Sequence, residues 1–227
     1  MASKVDICNM AVSHVGDRAT IASIDPPDGT PQAMHCAVWY NIARRSLLEM
    51  HNWSFAMTRV TPAQLECPWP EWDYAYQVPN DSIQVVAVLP TGATNDYSES
   101  AAIQGTYPIG YVYDQSVVAT FYTPQPYAIE KVGDVIVVYT DVADAVIRYT
   151  QDITDTTLFS ALFTECLSYR LGALIAGPIL KGDTGRAESK RLMQMLMELL
   201  KTAAESDSSN RSNRVQHVVG AIAARTR

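Results

Sequence analysis

The sequence predicts an α+β protein: a four-helix bundle with an inserted antiparallel β domain and an extended C-terminal tail. Three observations carry that expectation. Apolar residues recur at helical spacing in two segments near the start of the chain and in two near its end. Between them, prolines at 62, 68, 70, 79, 90, 108, 124 and 126 are too frequent for helices, and Tyr, Val and Ile fill the runs between them. After Glu205 comes a polar stretch, 206–213, whose composition cannot bury a core. The expected division is therefore a helical bundle from 1–52 and 151–206, a β domain over 53–150, and a flexible arm over 207–227.

Each element has its own signal. Ser3 to Gly16 reads as a short helix, with Val5, Cys8, Val12 and Val15 on one side. Ser3 followed by Asp6 is a capping-box start, and Gly16 suits a left-handed stop. Thr20 to Ile24 reads as extended, and the prolines of Asp25-Pro-Pro-Asp-Gly29 make a loop. Thr30 and Pro31 supply a cap and a first helical residue for a second helix ending near His51. That helix bears two apolar stripes, Ala33, Ala37, Tyr40 and Leu47, and beside them Met34, Val38 and Ile42. Two stripes imply contact on more than one side.

In the β region the expected strands are Tyr74–Val78, Ile83–Leu89, Gly110–Tyr113, Val117–Tyr122, Tyr127–Val132, Val135–Tyr139 and Ala145–Thr150. Gly133-Asp134 reads as a hairpin turn. The alternation of Ile129 and Lys131, then Val135, Val137 and Tyr139, predicts an antiparallel pair with one buried face. Leu158, Leu162 and Cys166, with Phe159, Phe163, Leu167, Leu171 and Leu174, mark a helix from Thr156 to Ala176 that Pro178 ends or kinks. Gly182-Asp183 begins a last long helix to Glu205, with Asp183 or Thr184 as its cap and Leu192, Met195, Leu196, Leu199, Leu200 and Ala203 as its stripe. The economical arrangement packs the four helices together and inserts the β domain between the second and the third.

Composition narrows the function. Charged residues are 18% and hydrophobic ones 48% of 227, a sparsely charged surface that hints at area buried against partners. The net charge of −7 is unevenly spread. Residues 53–150 hold three basic residues (Arg59, Lys131, Arg148) and eleven acids, a net of −8, while 211–227 hold four arginines and no acid, +4. An acidic middle opposes a grip on nucleic acid there; a basic tail suits an acidic partner surface. Cys8, Cys36, Cys67 and Cys166 are far apart in sequence and read as free thiols in a reducing compartment. The first residues lack a secretion signal's apolar stretch, and the uncharged run Leu171–Leu180 falls short of the roughly 20 residues of a membrane span. Assembly in a cytoplasm, with no membrane partner, is expected.

Catalytic and metal motifs are weak. His14, His35, His51 and His217 form no zinc-protease pattern, and the adjacent His35 and Cys36 point about 100° apart on a helix. Gly177-Pro-Ile-Leu-Lys-Gly182-Asp183-Thr184 mimics a phosphate loop until Asp183 replaces the lysine, where a carboxylate repels phosphate. Asp141 and Asp144 flank a turn and read as solvated. Trp39, Trp53, Trp69 and Trp72 invite base or sugar stacking, but packing against the helices is the plainer reading. Arg44 and Arg45 read as partners of acids rather than of phosphate. No catalytic residue, cofactor or metal is expected.

Several stretches nevertheless resemble one family. They are Asp6-Ile-Cys-Asn-Met-Ala-Val-Ser-His-Val-Gly16, Thr20-Ile-Ala-Ser-Ile24 and Arg45-Ser-Leu-Leu-Glu-Met-His-Asn-Trp-Ser-Phe-Ala56. Further along come Tyr74-Ala-Tyr-Gln-Val-Pro-Asn-Asp81, Arg148-Tyr-Thr-Gln-Asp-Ile-Thr-Asp155 and the run from Phe163 to Leu174. In their order and spacing, over about residues 3–205, they resemble the head–tail adaptor (connector) proteins of tailed bacteriophages of the tail tubular protein A type. The resemblance implies a helical bundle with an inserted β domain and no catalytic residues. It implies a dodecameric homo-oligomeric ring under the portal protein at the head–tail junction of the virion, with a tail nozzle or another tail component below. DNA would pass through the lumen without sequence-specific binding. In similar adaptors a C-terminal extension runs against the portal, which makes Arg211, Arg214, Val218, Val219, Ile222, Arg225 and Arg227 the portal-binding candidates. The acidic β region suggests carboxylates lining the lumen. The competing readings are a non-catalytic tail-associated binding module or assembly factor, and an enzyme of unrecognised type.

Overall fold

The computed structural model describes residues 2–91 and 125–209. Helix α1 is Lys4–His14 and α2 is Pro31–Met50. Seven strands follow: β1 Met57–Val60, β2 Gln64–Leu65, β3 Tyr74–Gln77, β4 Ser82–Leu89, β5 Tyr127–Val132, β6 Val135–Thr140 and β7 Val146–Gln151. Helices α3, Ala161–Leu180, and α4, Gly182–Ser209, close the described chain.

The starts of the first three helices follow from local chemistry. At α1 the Ser3 side chain accepts from Asp6 N while Asp6 reaches back to Ser3 N, which satisfies two orphan donors. Gly16, at φ +83°, ends the turn after it. Thr30 caps α2 ahead of Pro31, and Ser160 caps α3. Between α1 and α2 the stretch around Ile21 makes no strand. Its backbone is held instead by Asn9, whose amide accepts from Ile21 N at 2.8 Å and donates to Ile21 O at 3.1 Å.

The expected four-helix bundle with an inserted β domain is overturned. The structure has four helices plus two antiparallel sheets; the helices bury one shared core, but they are arranged around a single central helix and not as four equivalent bundle members. Helix α3 is the axis: it packs against α1, α2 and α4, whereas α1 and α2 scarcely meet. The reason lies in its composition. Phe163, Cys166, Leu167, Ser168, Leu171, Gly172, Ala173, Ile175 and Ala176 are all buried and lie all round the helix, so it needs cover on every side. The shorter α1 and the outer helices supply that cover.

The seven strands form two antiparallel sheets. One sheet has the order β1-β7-β4 and the other β2-β3-β6-β5. They face each other across Tyr76, Val78 and Val138 on one side and Val85, Val88, Ile147 and Tyr149 on the other. The three-stranded sheet is welded to the helices through Ile83 and Ile153, which join the helical core, and through the Arg44–Asp152 ion pair. The expected pair with one buried face is also corrected. Val137 and Tyr139 are buried with Ala75 on one face of β6, and Val138 is buried on the other. The hairpin at Gly133 forms, with Val132 opposite Val135.

Other expectations shift. Strands β1 and β2 were not foreseen, and the expected strands Gly110–Tyr113 and Val117–Tyr122 lie outside the described residues. Pro178 sits inside α3, in its last turn, rather than ending it. Helix α4 begins at Gly182, ahead of the residues expected to cap it, and continues to Ser209, so residues 206–209 are its last turn and not a linker.

Candidate interaction surfaces

Three features stand out on this framework. The first is the outer side of α2. Of its two stripes, Ala33, Tyr40 and Leu47 are buried against the core, while Met34, Val38 and Ile42 are 50%, 61% and 51% exposed. These three are one i+4 row, and Asn41, Arg45 and Glu49 flank it as an exposed polar rim. The double stripe is therefore real, but among the described residues only one of the two has a partner.

The second is a groove of about 890 Å³ between α3 and α4. Ala173, Leu174 and Gly177 form its floor and Gly185, Ser189, Met193 and Met197 its wall. Arg186 and Lys190 lie toward one end and Glu198 toward the other. The helices come close because α4 presents glycine: a Cβ at Gly185 would stand 3.0 Å from Ala176 O. Ser189 adds a bond, its Oγ donating to Ala173 O at 2.6 Å. At one end Arg170 donates to Ser46 of α2 and to the Met193 sulfur.

The third is the exit of the C-terminal arm. Asp207, 7% exposed, pins the last turn of α4 beneath the end of α2. Its carboxylate accepts from Ser54 N at 2.9 and 3.1 Å and from Ser54 Oγ at 2.6 Å. His51 Nε2 lies 3.4 Å from Oδ2, at ion-pair distance but outside hydrogen-bond geometry. The neighbouring Trp53 is fully buried, donates to Leu47 O at 2.9 Å, and packs edge-on against Phe163. Every expected portal-binding residue, from Arg211 to Arg227, lies outside the described residues.

The remaining sequence candidates find structural places. Arg44, buried, donates to Asp152 and to Ile153 O, and Arg45 lies 3.6 Å from the same carboxylate. Trp72 packs on the four-stranded sheet with Leu65 and Cys67, not against the helices, and Trp69 is 48% exposed. Asp141 and Asp144 are exposed at the β6–β7 turn, where Asp141 accepts from Asp73 N and Asp144 adopts φ 48°. The phosphate-loop mimic is a helix–helix turn, with Lys181 at φ 57°. Cys8, Cys36 and Cys166 are buried thiols. A hydrogen bond with Cys36, together with burial, raises the Cys8 pKa, and burial pushes Cys166 up to about 11. Burial likewise pushes Tyr40 up to about 12 and lowers His14, which stacks on Tyr169 and meets Ser168 Oγ at 3.0 Å. Among the described residues no three His, Cys, Asp or Glu side chains converge as a metal site, and no helix is long and apolar enough to cross a membrane. No family model matches the chain, and no curated protein matches it.

Proposed function

We propose that this chain is a structural head-to-tail adaptor of a tailed bacteriophage, forming a ring that joins the portal to the tail and continues the DNA channel. The observation that carries the reading is the outer stripe of α2: three large apolar side chains in one row, held on a helix and facing away from the core. A stripe of this kind suits a subunit made to be packed against others. The order and spacing of the motifs shared with the adaptor family support the same reading. So does the pinned end of α4, which delivers the basic arm from a fixed point.

In this role the ring is dodecameric and non-enzymatic, and it sits at the head–tail junction with a nozzle or another tail component below. The arm, through Arg211, Arg214, Val218, Val219, Ile222, Arg225 and Arg227, binds the portal. The β-region acids among the described residues are exposed, and some of the region's acids line the lumen, where they repel DNA and keep it from sticking. A lumen surface that mapped as basic in the assembled ring would remove that last point.

The test is the mass of the purified chain, alone and mixed with its cognate portal ring. A complex of fixed stoichiometry with portal is expected, and a chain ending at Ser209 should lose most of that binding. A full-length chain that stays monomeric and ignores portal refutes the reading.

A further inference from the structure

The outer stripe of α2 and the α3–α4 groove are separate apolar features, and no described residue covers either. We infer that they cover each other between copies: α2 of one chain seats in the α3–α4 groove of the next, with α2 and α4 running parallel. The number of copies rests on the ring reading; the contact itself is argued from the two surfaces.

Shape permits it. A Cβ placed on Gly177 would meet nothing within 4 Å, so the groove floor is low where a helix would approach. Met193 and Met197 are flexible side chains that mould to a neighbour. From Met34 to Ile42 the stripe rises about 12 Å, and the row from Gly185 to Met197 rises about 18 Å, so the stripe fits inside the groove.

Charge sets the direction. In the parallel alignment the exposed Asp25 and Asp28, just ahead of α2, come at the Arg186 end of the groove. Arg45 then comes beside Glu198, and Glu49, about a turn on, beside Lys201. The lengths agree: Pro31 to Arg45 rises about 21 Å and Arg186 to Glu198 about 18 Å. The antiparallel alignment sets Arg45 against Arg186 and Lys190, and the aspartates against Glu198, like on like. Hydrogen bonding to Thr30 holds the Asp28 carboxyl at about 2, so its charge persists at neutral pH. Because two different patches meet, the contact is heterologous when each copy serves two neighbours, and closes into a ring where the rotation allows; two copies that exchange both patches instead make an isologous pair.

The experiment compares the solution mass of the concentrated full-length chain with Val38→Glu, Arg45→Glu, Glu198→Arg and the Arg45→Glu/Glu198→Arg double variant. These positions are exposed; Arg45 also lies 3.6 Å from Asp152, so circular dichroism and the unfolding temperature of each variant establish that it is folded under the conditions of the mass measurement. The wild type should assemble. Val38→Glu should weaken association by roughly tenfold or more, each single reversal should weaken it less, and the double variant should recover it. Variants that assemble like the wild type overturn the contact and leave the ring reading standing on another interface. A wild type that stays monomeric when concentrated also overturns it, and mixing with portal then tests the adaptor reading by itself. Loss of portal capture in Val38→Glu from such a monomer assigns the stripe to portal instead. A stable pair supports the contact and counts against the ring.

Discussion

Replacing Asp207 by Ala should loosen the last turn of α4 and lower global stability by about 2–3 kcal/mol. The figure follows from what the carboxylate holds. Both oxygens accept from Ser54 N, and Oδ1 also accepts from Ser54 Oγ, in a site where Asp207 is 7% exposed. Bonds to an ionised acceptor contribute about 1.5–3 kcal/mol, and an N–H left buried without an acceptor costs about 1–3 kcal/mol. The Ser54 hydroxyl can rotate toward another partner, and the carboxylate was itself desolvated, so the loss falls at or just below the low end of the two ranges added together, about 2.5 kcal/mol. For a chain of this size each kcal/mol moves the midpoint by about 2–4 °C, which gives a fall of about 4–12 °C. Ser54→Ala keeps the backbone bond and should lose only about 1 kcal/mol. A chain ending at Ser206 should behave like Asp207→Ala, and one ending at Ser209 like the full length. Thermal unfolding followed by circular dichroism reads the midpoint, and amide exchange over 203–209 reads the local loosening. An Asp207→Ala midpoint within about 1 °C of wild type refutes the anchoring argument.

Three further outcomes are expected. His14 has its pKa lowered by burial, so the unfolded chain takes up a proton that the folded one resists, and stability should fall as pH drops below about 6.5 toward the folded value; His14→Gln should flatten that limb when urea midpoints at about pH 7.5 and about pH 5 are compared. Gly185→Ala puts a Cβ 3.0 Å from Ala176 O and 3.1 Å from Gly177 Cα, both backbone, and should destabilise by about 1–2 kcal/mol in urea titration, whereas Gly177→Ala meets open space and should stabilise by about 0.5 kcal/mol. Trp53→Phe removes the bond to Leu47 O and leaves a void in the buried aromatic cluster, a loss of about 2–3 kcal/mol by the same titration.

What the sequence disclosed was mostly what local chemistry decides. Ser3 with Asp6, Thr30 with Pro31, and the Gly133 turn each declare an element boundary within four residues, because the groups that satisfy the backbone are close in sequence. What it hid was decided by distant partners. Strand β1 is short, with Arg59 in its middle, and exists because Met57 to Val60 pair with Ile147 to Thr150. Residues 206–209 look like linker by composition, yet they are helical because Asp207 finds Ser54 across the fold.

The corrected fold turns on the same distinction. Periodicity shows that a helix has an apolar side; it does not show how many neighbours share that side. Helix α3 gave the clue in its own residues, since Phe163, Leu167, Leu171 and Ile175 do not fit one stripe with Cys166, Ala173 and Ala176. A helix apolar all round belongs at an axis, and an axis covered by three other helices is not one corner of a bundle. Helix α2 is the opposite case. Its two stripes are equally periodic, but the one containing Ala33, Tyr40 and Leu47 is taken up by α3 and the core, leaving Met34, Val38 and Ile42 outside. A monomer gains nothing from keeping three such side chains in a row on a rigid helix, where a single charge at Val38 would improve solubility at little cost to the core. That asymmetry ties the fold to the proposed function: the feature that assembly would use is the one the internal packing leaves over.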